Sequence, residues 1–470
     1  MILHLMMRTT QTERPFFQPL AFHSPAEGDS FIPPVVHHQL PNGMVLYVAE
    51  HHRLPVVGLI LLIKNGAETD PPGKEGISSL MMEGLLLGAG KRSEDDIALA
   101  LDSLGAPIIS AAGWDGGWIK AQGLSGDLET IMEIARDIVF DPAFPSDAFH
   151  LLKERRLGAL KNKQQNLSLV ADDAFESVLF KDSPYGHPED GTIPSVESIS
   201  VGDLRSHYAR IIHPSKMALA IVGDVCTDDV VEKATHLFDQ DKGLLPKEGH
   251  NAFPSPEASG RNVHLFLRPG FTQCQIRMGH LGISCDHPSY HAVKVMNYIL
   301  GGGGFSSRLM EEIRVKRGYT YGISTSFNAR RRPGPFVVST FTTPALAPEV
   351  VTRILETIEN YRNSGGTKAE LESAQGYYTG SFPLGLETPS KIAGKVLETE
   401  LYGLGLSFIH EFRDRIRAVG LEDIHKTALS CLRPGEATIA VVGDLEKSIQ
   451  AWENLGSVEV IQDKESSPPV

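Results

Sequence analysis

Cysteine is scarce in this 470-residue chain: Cys226, Cys274, Cys285 and Cys431 stand far apart and no Cys-x-x-Cys pair occurs. That excludes a disulfide framework and a thiolate zinc site, and leaves free, buried thiols in a reducing compartment as the expectation. Cations are in deficit as well. Lys and Arg number 44 against 58 Asp and Glu, a formal net charge of -14. A nucleic-acid surface is excluded on that balance, because phosphate binding needs clustered cations. The one dense basic run, Arg330-Arg331-Arg332, reads as a solvated hairpin tip before Pro333. No apolar run approaches the roughly 18 residues of a membrane span. The opening Met-Ile-Leu-His-Leu-Met-Met-Arg is too short and broken for a signal peptide, and its positive charge follows its apolar part. The expected location is cytoplasmic, or periplasmic if the start hides an export signal.

What is present is enough chain for two domains of roughly 200 residues each, and the pattern divides it accordingly. Residues 1–35 read as an irregular arm. From His37 onward β-branched runs (Val45 to Val48, Val56 to Ile63) alternate with helical segments. Pro72 to Leu87 reads as one helix. A second spans Ser93 to Leu104, with Ser93 as cap, three acids in its first turn and Gly105 as its stop. Then the pattern restarts. His213-Pro214 and the strand ending Val-Gly-Asp224 have partners in Arg433-Pro434 and Val-Gly-Asp444, each displaced by 220 residues. Tyr185-Gly186 recurs as Tyr402-Gly403, and a glycine-ended apolar helix occurs near both Ile77 and Ala292. Several such coincidences in one order indicate a duplicated domain. The halves are 36–237 and 263–460, with a linker over 238–262 and a tail over 461–470. Antiparallel-type strands mixed with helices make each half an α+β sandwich.

The stretch richest in chemistry runs from Leu300 to Tyr321. Gly301, Gly302, Gly303 and Gly304 free the backbone. Ser306 or Ser307 is expected to cap a short helix bearing Leu309, Met310 and Ile313, which ends at Lys316-Arg317-Gly318. Arg314 and Tyr321, on either side of that stop, could both donate hydrogen bonds to one oxygen. No Gly-Lys-Ser/Thr follows the glycines, so a P-loop is excluded. The plain alternative is a helix end carrying cations that suit its dipole. His280, His287 and His291 cluster near a helix start, but histidines in such places are mostly caps or surface residues, and no third ligand with an open position is evident.

Taken together, Leu40-Pro-Asn-Gly-Met44, Asn65-Gly66-Ala67-Glu68-Thr69, Gly76-Ile77, Leu104-Gly105-Ala106, Asp141-Pro142-Ala143-Phe144, the two Val-Gly-Asp strand ends and Leu300 to Tyr321 resemble the M16 metallopeptidases. This is the pitrilysin and mitochondrial-processing-peptidase-like group, and the resemblance covers residues 36 to 460. It implies two homologous α/β-sandwich domains of the LuxS/MPP-like metallohydrolase fold, forming half of a clamshell. Active members carry His-x-x-Glu-His on the helix after Gly76, since positions i, i+3 and i+4 share one helical face. Two imidazoles there hold zinc and the carboxylate activates its water. In this chain that face presents Ser79, Met82 and Glu83, and the third ligand falls at Lys161. Glu154 matches a carboxylate that would orient the ligands. The half is therefore expected to hold no zinc, and Glu83 and Lys161 are expected to pair across the vacated position.

The resemblance further implies that Arg314 and Tyr321 bind the substrate carbonyl and the developing oxyanion. It also implies that Gly301 to Gly304 lie at a chamber mouth and contact substrate; the alternative for that loop is a hinge. The expected function is a substrate-binding, non-catalytic subunit of a heterodimeric zinc endopeptidase. Its partner would be a homologous subunit with intact His-x-x-Glu-His and the zinc, and its substrate a peptide or unfolded polypeptide. This chain itself would carry no cofactor. The alternative function is a purely structural assembly subunit.

Overall fold

The computed structural model describes residues 32–239 and 260–462. Residues 1–31 of the arm, 240–259 of the linker and 463–470 of the tail lie outside the described residues, whereas Val35, Phe238, Asn262 and residues 461–462 belong to strands or a helix of the two halves. Seven of the eight residues of the strand Val56–Ile63 are buried, which needs cover on both faces of its sheet. Val57, Leu59, Leu61 and Ile63 face the core built with the first half's own helices. Ile60 and Leu62 face the opposite way, onto Ile392, Val396 and Leu397. Those belong to the helix Pro389–Leu401 of the second half. The strand Thr438–Gly443 repeats the arrangement. Ile439 and Val441 face the second half's core, whereas Ala440 and Val442 face the helix Leu167–Leu179 of the first half. Each half thus lends one helix to the back of the other's sheet.

Both sheets are six-stranded. The first runs in spatial order Val35–Gln39, Val45–Glu50, Met217–Gly223, Val56–Ile63, Gly117–Leu124 and Ile108–Ala112. The second, in matching order, runs Ser457–Gln462, Asn262–Leu267, Thr438–Gly443, Cys274–Leu281, Pro335–Thr342 and Ile323–Phe327. Val45–Glu50 pairs parallel with Met217–Gly223, and Asn262–Leu267 pairs parallel with Thr438–Gly443. The duplication read from the sequence is this shared order. One edge differs: Val35–Gln39 joins its neighbour antiparallel, whereas Ser457–Gln462 joins parallel.

Charged side chains fasten the exchanged helices. Arg277, on the second sheet, donates from Nη2 to the Ser168 hydroxyl at 2.7 Å and its carbonyl at 3.1 Å, and pairs with Asp172. On the first sheet, the Tyr47 hydroxyl donates to Glu400 at 2.7 Å and Lys64 pairs with the same carboxylate. Arg331 and Arg332 of the basic run are exposed, as expected of a solvated tip, but Arg330 is not. Arg330 is 7% exposed. Its guanidinium lies 4.4 Å from the Trp114 ring, 4.9 Å from Tyr185 and 5.3 Å from Phe180, and it pairs with Glu176. Arg331 donates to the Asp115 carbonyl at 2.8 Å and the Lys64 carbonyl at 3.1 Å. The hairpin plugs into the first half, where aromatic faces and carboxylates stand in for water around its cations.

Candidate functional site

Two places bear on function: the helix on which the resemblance puts the zinc motif, and the glycine-rich stretch of the second half. The first helix spans Ile77–Gly84, not Pro72 to Leu87. Gly76 holds φ at +91° and its ideal Cβ would meet the Asp190 carbonyl oxygen at 2.6 Å, so the helix cannot extend backwards through it. The Asp70 carboxylate accepts the amides of Gly76 at 2.7 Å and Ser78 at 3.1 Å and caps the helix from outside. Arg210 donates to His207 Nδ1 at 2.9 Å, which leaves Nε2–H to donate to Ser78 Oγ at 2.8 Å. Ser78 in turn donates to the Gly66 carbonyl at 3.1 Å.

Burial, aided by the Arg210 charge, pushes the His207 imidazole down to about 3. Burial likewise takes His280 down to about 4. An unfolded histidine takes up a proton near pH 6.5. Between that pH and the native values the unfolded state binds more protons, so stability is retained above pH 6.5 and lost as pH falls. Each of these histidines is expected to contribute a slope of about 1.4 kcal/mol per pH unit in that window. Urea titrations from pH 7 to pH 4 measure the slope. His207→Asn, which keeps an acceptor for Arg210, should flatten it by one proton's worth.

On the vacated face, Met82 is 1% exposed and belongs to the core. Its sulfur lies 2.8 Å from the ideal Cβ position of Gly117. Ser79 is buried, and Glu83 opens onto the cleft. The expected Glu83–Lys161 pair does not form: Lys161 and Glu154 are exposed, and Arg156 meets Glu83 instead. The reason is register on the helix Ser146–Lys163. Its inward stripe is Phe149, Leu152, Arg156 and Leu160, which turns Lys161 aside. The Arg156 guanidinium, 8% exposed, also donates to Asp190 at 2.8 Å and Ser79 Oγ at 3.0 Å. Zinc does not fit these residues. A permanent cation already sits against the only carboxylate of the face, and no imidazole is present. Among the described residues no group of three or more His, Cys, Asp or Glu side chains could hold a metal. A cleft of about 740 Å3 opens beside Arg156, lined also by Glu83, Arg155, Lys163, Leu169 and Asp190.

The histidine trio is likewise occupied otherwise. His280 Nδ1 donates to the Leu281 carbonyl at 2.8 Å and Nε2 accepts the Arg433 amide at 3.0 Å. His287 Nδ1 accepts the Ser289 amide at 3.1 Å. His291 packs against Tyr290, Phe408 and Phe412.

In the second half, a helix end of wide turns runs Tyr298–Gly302, closed by the Gly303 amide on the Tyr298 carbonyl at 2.8 Å. Gly301 is buried so tightly that an ideal Cβ would sit 2.5 Å from Thr325 Oγ1. Gly302 is exposed, Gly303 half-buried, and Gly304 turns the chain at φ +60°. Ser306 and Ser307 do not cap the next helix. Their hydroxyls donate back to the Gly303 and Gly304 carbonyls at 2.9 and 2.7 Å, bracing the loop instead. Met310–Val315 is again a wide-turn helix. Gly318, at φ +65°, reverses the chain toward the strand Ile323–Phe327.

This reversal brings Tyr321 onto Arg314. The guanidinium lies 4.7 Å from the Tyr321 ring and 4.6 Å from the Phe305 ring, stacked against both. Both rings are largely exposed, Tyr321 at 78% and Phe305 at 70%. Neither the guanidinium nor the Tyr321 hydroxyl has a hydrogen-bond partner among the described residues. Neighbouring cations are spoken for: Glu312 pairs with Lys316 and Arg317. The five guanidinium N–H groups lie in its plane, so stacking on its faces leaves its donors available to a ligand. Phe305, Arg156 and Asp190 were not singled out by the sequence reading. An arginine at core spacing in an apolar helical stripe was the available signal for Arg156.

Residues 46–192 match the family described as insulinase (peptidase family M16), and residues 198–377 match the peptidase M16 inactive domain. The chain belongs to the peptidase M16 family. An uncharacterized zinc protease of Mycobacterium leprae is 26% identical over 397 residues, which is 83% of this chain and 87% of that protein. The non-peptidase homolog YmxG of Helicobacter pylori is 23% identical over 405 residues, 85% of this chain and 91% of that one. A crystal structure of a peptidase M16 inactive domain from Pseudomonas fluorescens superposes with a TM-score of 0.80 at 25% identity, covering 87% of this chain and 98% of that one. The inactive-domain match and the non-peptidase relative support a non-catalytic M16 member, as the Arg156 arrangement does. No helix among the described residues is long and apolar enough to cross a membrane.

Proposed function

We propose that this M16 chain is the substrate-binding, non-catalytic subunit of a two-chain zinc endopeptidase. The observation that carries this reading is the Arg314 guanidinium, held between Phe305 and Tyr321 with its donors free, in a chain where Arg156 sits against Glu83 at the expected zinc positions. A homologous partner with intact His-x-x-Glu-His supplies the metal and the nucleophile. Arg314 and Tyr321 bind the carbonyl of the peptide and donate to its oxygen as negative charge develops there, in the manner of an oxyanion hole. Gly301 to Gly304 let the backbone of an extended substrate pass close by, and an edge strand can take up its main-chain hydrogen bonds. A purely structural role makes no use of a guanidinium kept free of internal partners.

The test is reconstitution. This chain and a His-x-x-Glu-His homologue are purified separately and together, and cleavage of an unstructured fluorogenic peptide is followed. Co-elution of the two chains and activity of the mixture well above either alone is the expected result. A chelator-sensitive activity of this chain by itself overturns the reading, as does a mixture no more active than the partner.

A further inference from the structure

Away from Arg314, the helix Tyr290–Asn297 and the exchanged helix Pro389–Leu401 border a cavity of about 290 Å3, at the lower end of the ~300–1,000 Å3 range of small-molecule sites. Tyr290, Tyr378, Phe382 and Phe412 make its walls, and Lys294, Lys395 and Glu398 bring charge to it. Lys395 is satisfied: its ammonium is 2.9 Å from both oxygens of Glu398. Lys294 is not. Its Nζ lies 5.2 Å from the Tyr290 ring and 5.6 Å from the Tyr378 ring, with no hydrogen-bond acceptor or ion-pair partner among the described residues. Two cations and one carboxylate leave one positive charge uncompensated in a half-buried place, which carries a cost without a counter-charge. Burial, with repulsion from Lys395, accordingly lowers the Lys294 pKa. The ring faces offset part of that cost but leave the ammonium's three donors unused.

We propose that this cavity is a binding site for a small aromatic monocarboxylate. Its carboxylate takes the Lys294 donors and its ring packs against Tyr290, Tyr378 and Phe412. One missing negative charge selects a monoanion over a phosphate dianion, and the aromatic walls select a flat ring over an aliphatic chain.

Calorimetric titration of the full chain at pH 7 with benzoate, benzamide and acetate tests this. Benzoate is expected to bind saturably and to raise the melting temperature, with benzamide and acetate each weaker by about tenfold or more. Lys294→Met, which keeps length and removes charge, should abolish benzoate binding. Lysine acetylation read by mass spectrometry on the unmutated chain is independent of that variant's folding. Benzoate should protect Lys294 and not the exposed Lys161. Equal affinity for benzoate and benzamide, unchanged binding by Lys294→Met, or no protection of Lys294 overturns the assignment.

Discussion

Arg314→Ala is expected to lower kcat of the reconstituted two-chain peptidase by about 10²- to 10³-fold, the cost of removing one donor from an oxyanion site. KM should change little, because a donor aimed at developing charge acts mainly on the transition state. Tyr321→Phe keeps the ring that stacks on the guanidinium and removes only the hydroxyl, so a smaller loss of about tenfold is expected. The two variants therefore separate stacking from donation. Phe305→Ala completes the set: it opens one face of the guanidinium without touching a donor, and should fall between wild type and Arg314→Ala. Steady-state cleavage of one peptide at saturating partner measures all three. Activity of Arg314→Ala within twofold of wild type would show that the pair has no part in the chemistry.

The second large effect is on stability. Arg330→Ala should destabilise the chain by about 3–5 kcal/mol, the range for removing one partner of a buried ion pair. The substitution leaves Glu176 without its guanidinium, and burial already raises that carboxyl's pKa. It also strips a cation from the faces of Trp114, Phe180 and Tyr185. Arg330→Lys should recover only part of the loss, since an ammonium is more strongly hydrated than a guanidinium and offers no flat face to the surrounding rings. Urea unfolding followed by tryptophan fluorescence reads the change, with Trp114 as the reporter in contact with the mutated side chain. A loss below about 1 kcal/mol would return the basic run to the status of a surface feature.

Local features were legible from the sequence wherever a short-range rule decided them. Ser93 caps its helix with Asp96 in a reciprocal box, and Gly105 ends it at φ +58°. The 220-residue echo corresponds to two sheets of the same strand order. Arg314 and Tyr321 do meet, because a helix end and a glycine reversal lie between them. What was not legible depends on the closure of distant segments. The helix expected to start at Pro72 begins at Ile77 because residues 190–191 pack against Gly76, more than a hundred positions away. Arg330 looked like surface because its aromatic cage comes from Trp114, Phe180 and Tyr185. Lys161 looked inward because an assignment from resemblance does not fix which side of a helix faces in; the position before it, Leu160, closes the inward stripe and Arg156 lies on that stripe, since one step along a helix turns a residue by about 100°.

The mutual loan of helices has a consequence for how such a chain can change over time. The first half holds Arg156 against Glu83 on the face where the family's zinc motif is expected, yet it cannot be shed. Deleting it would strip Ala440 and Val442 of their cover and leave the helix Pro389–Leu401 with nowhere to dock. Chemistry can erode from one half of a clasped pair while its architecture stays indispensable to the other.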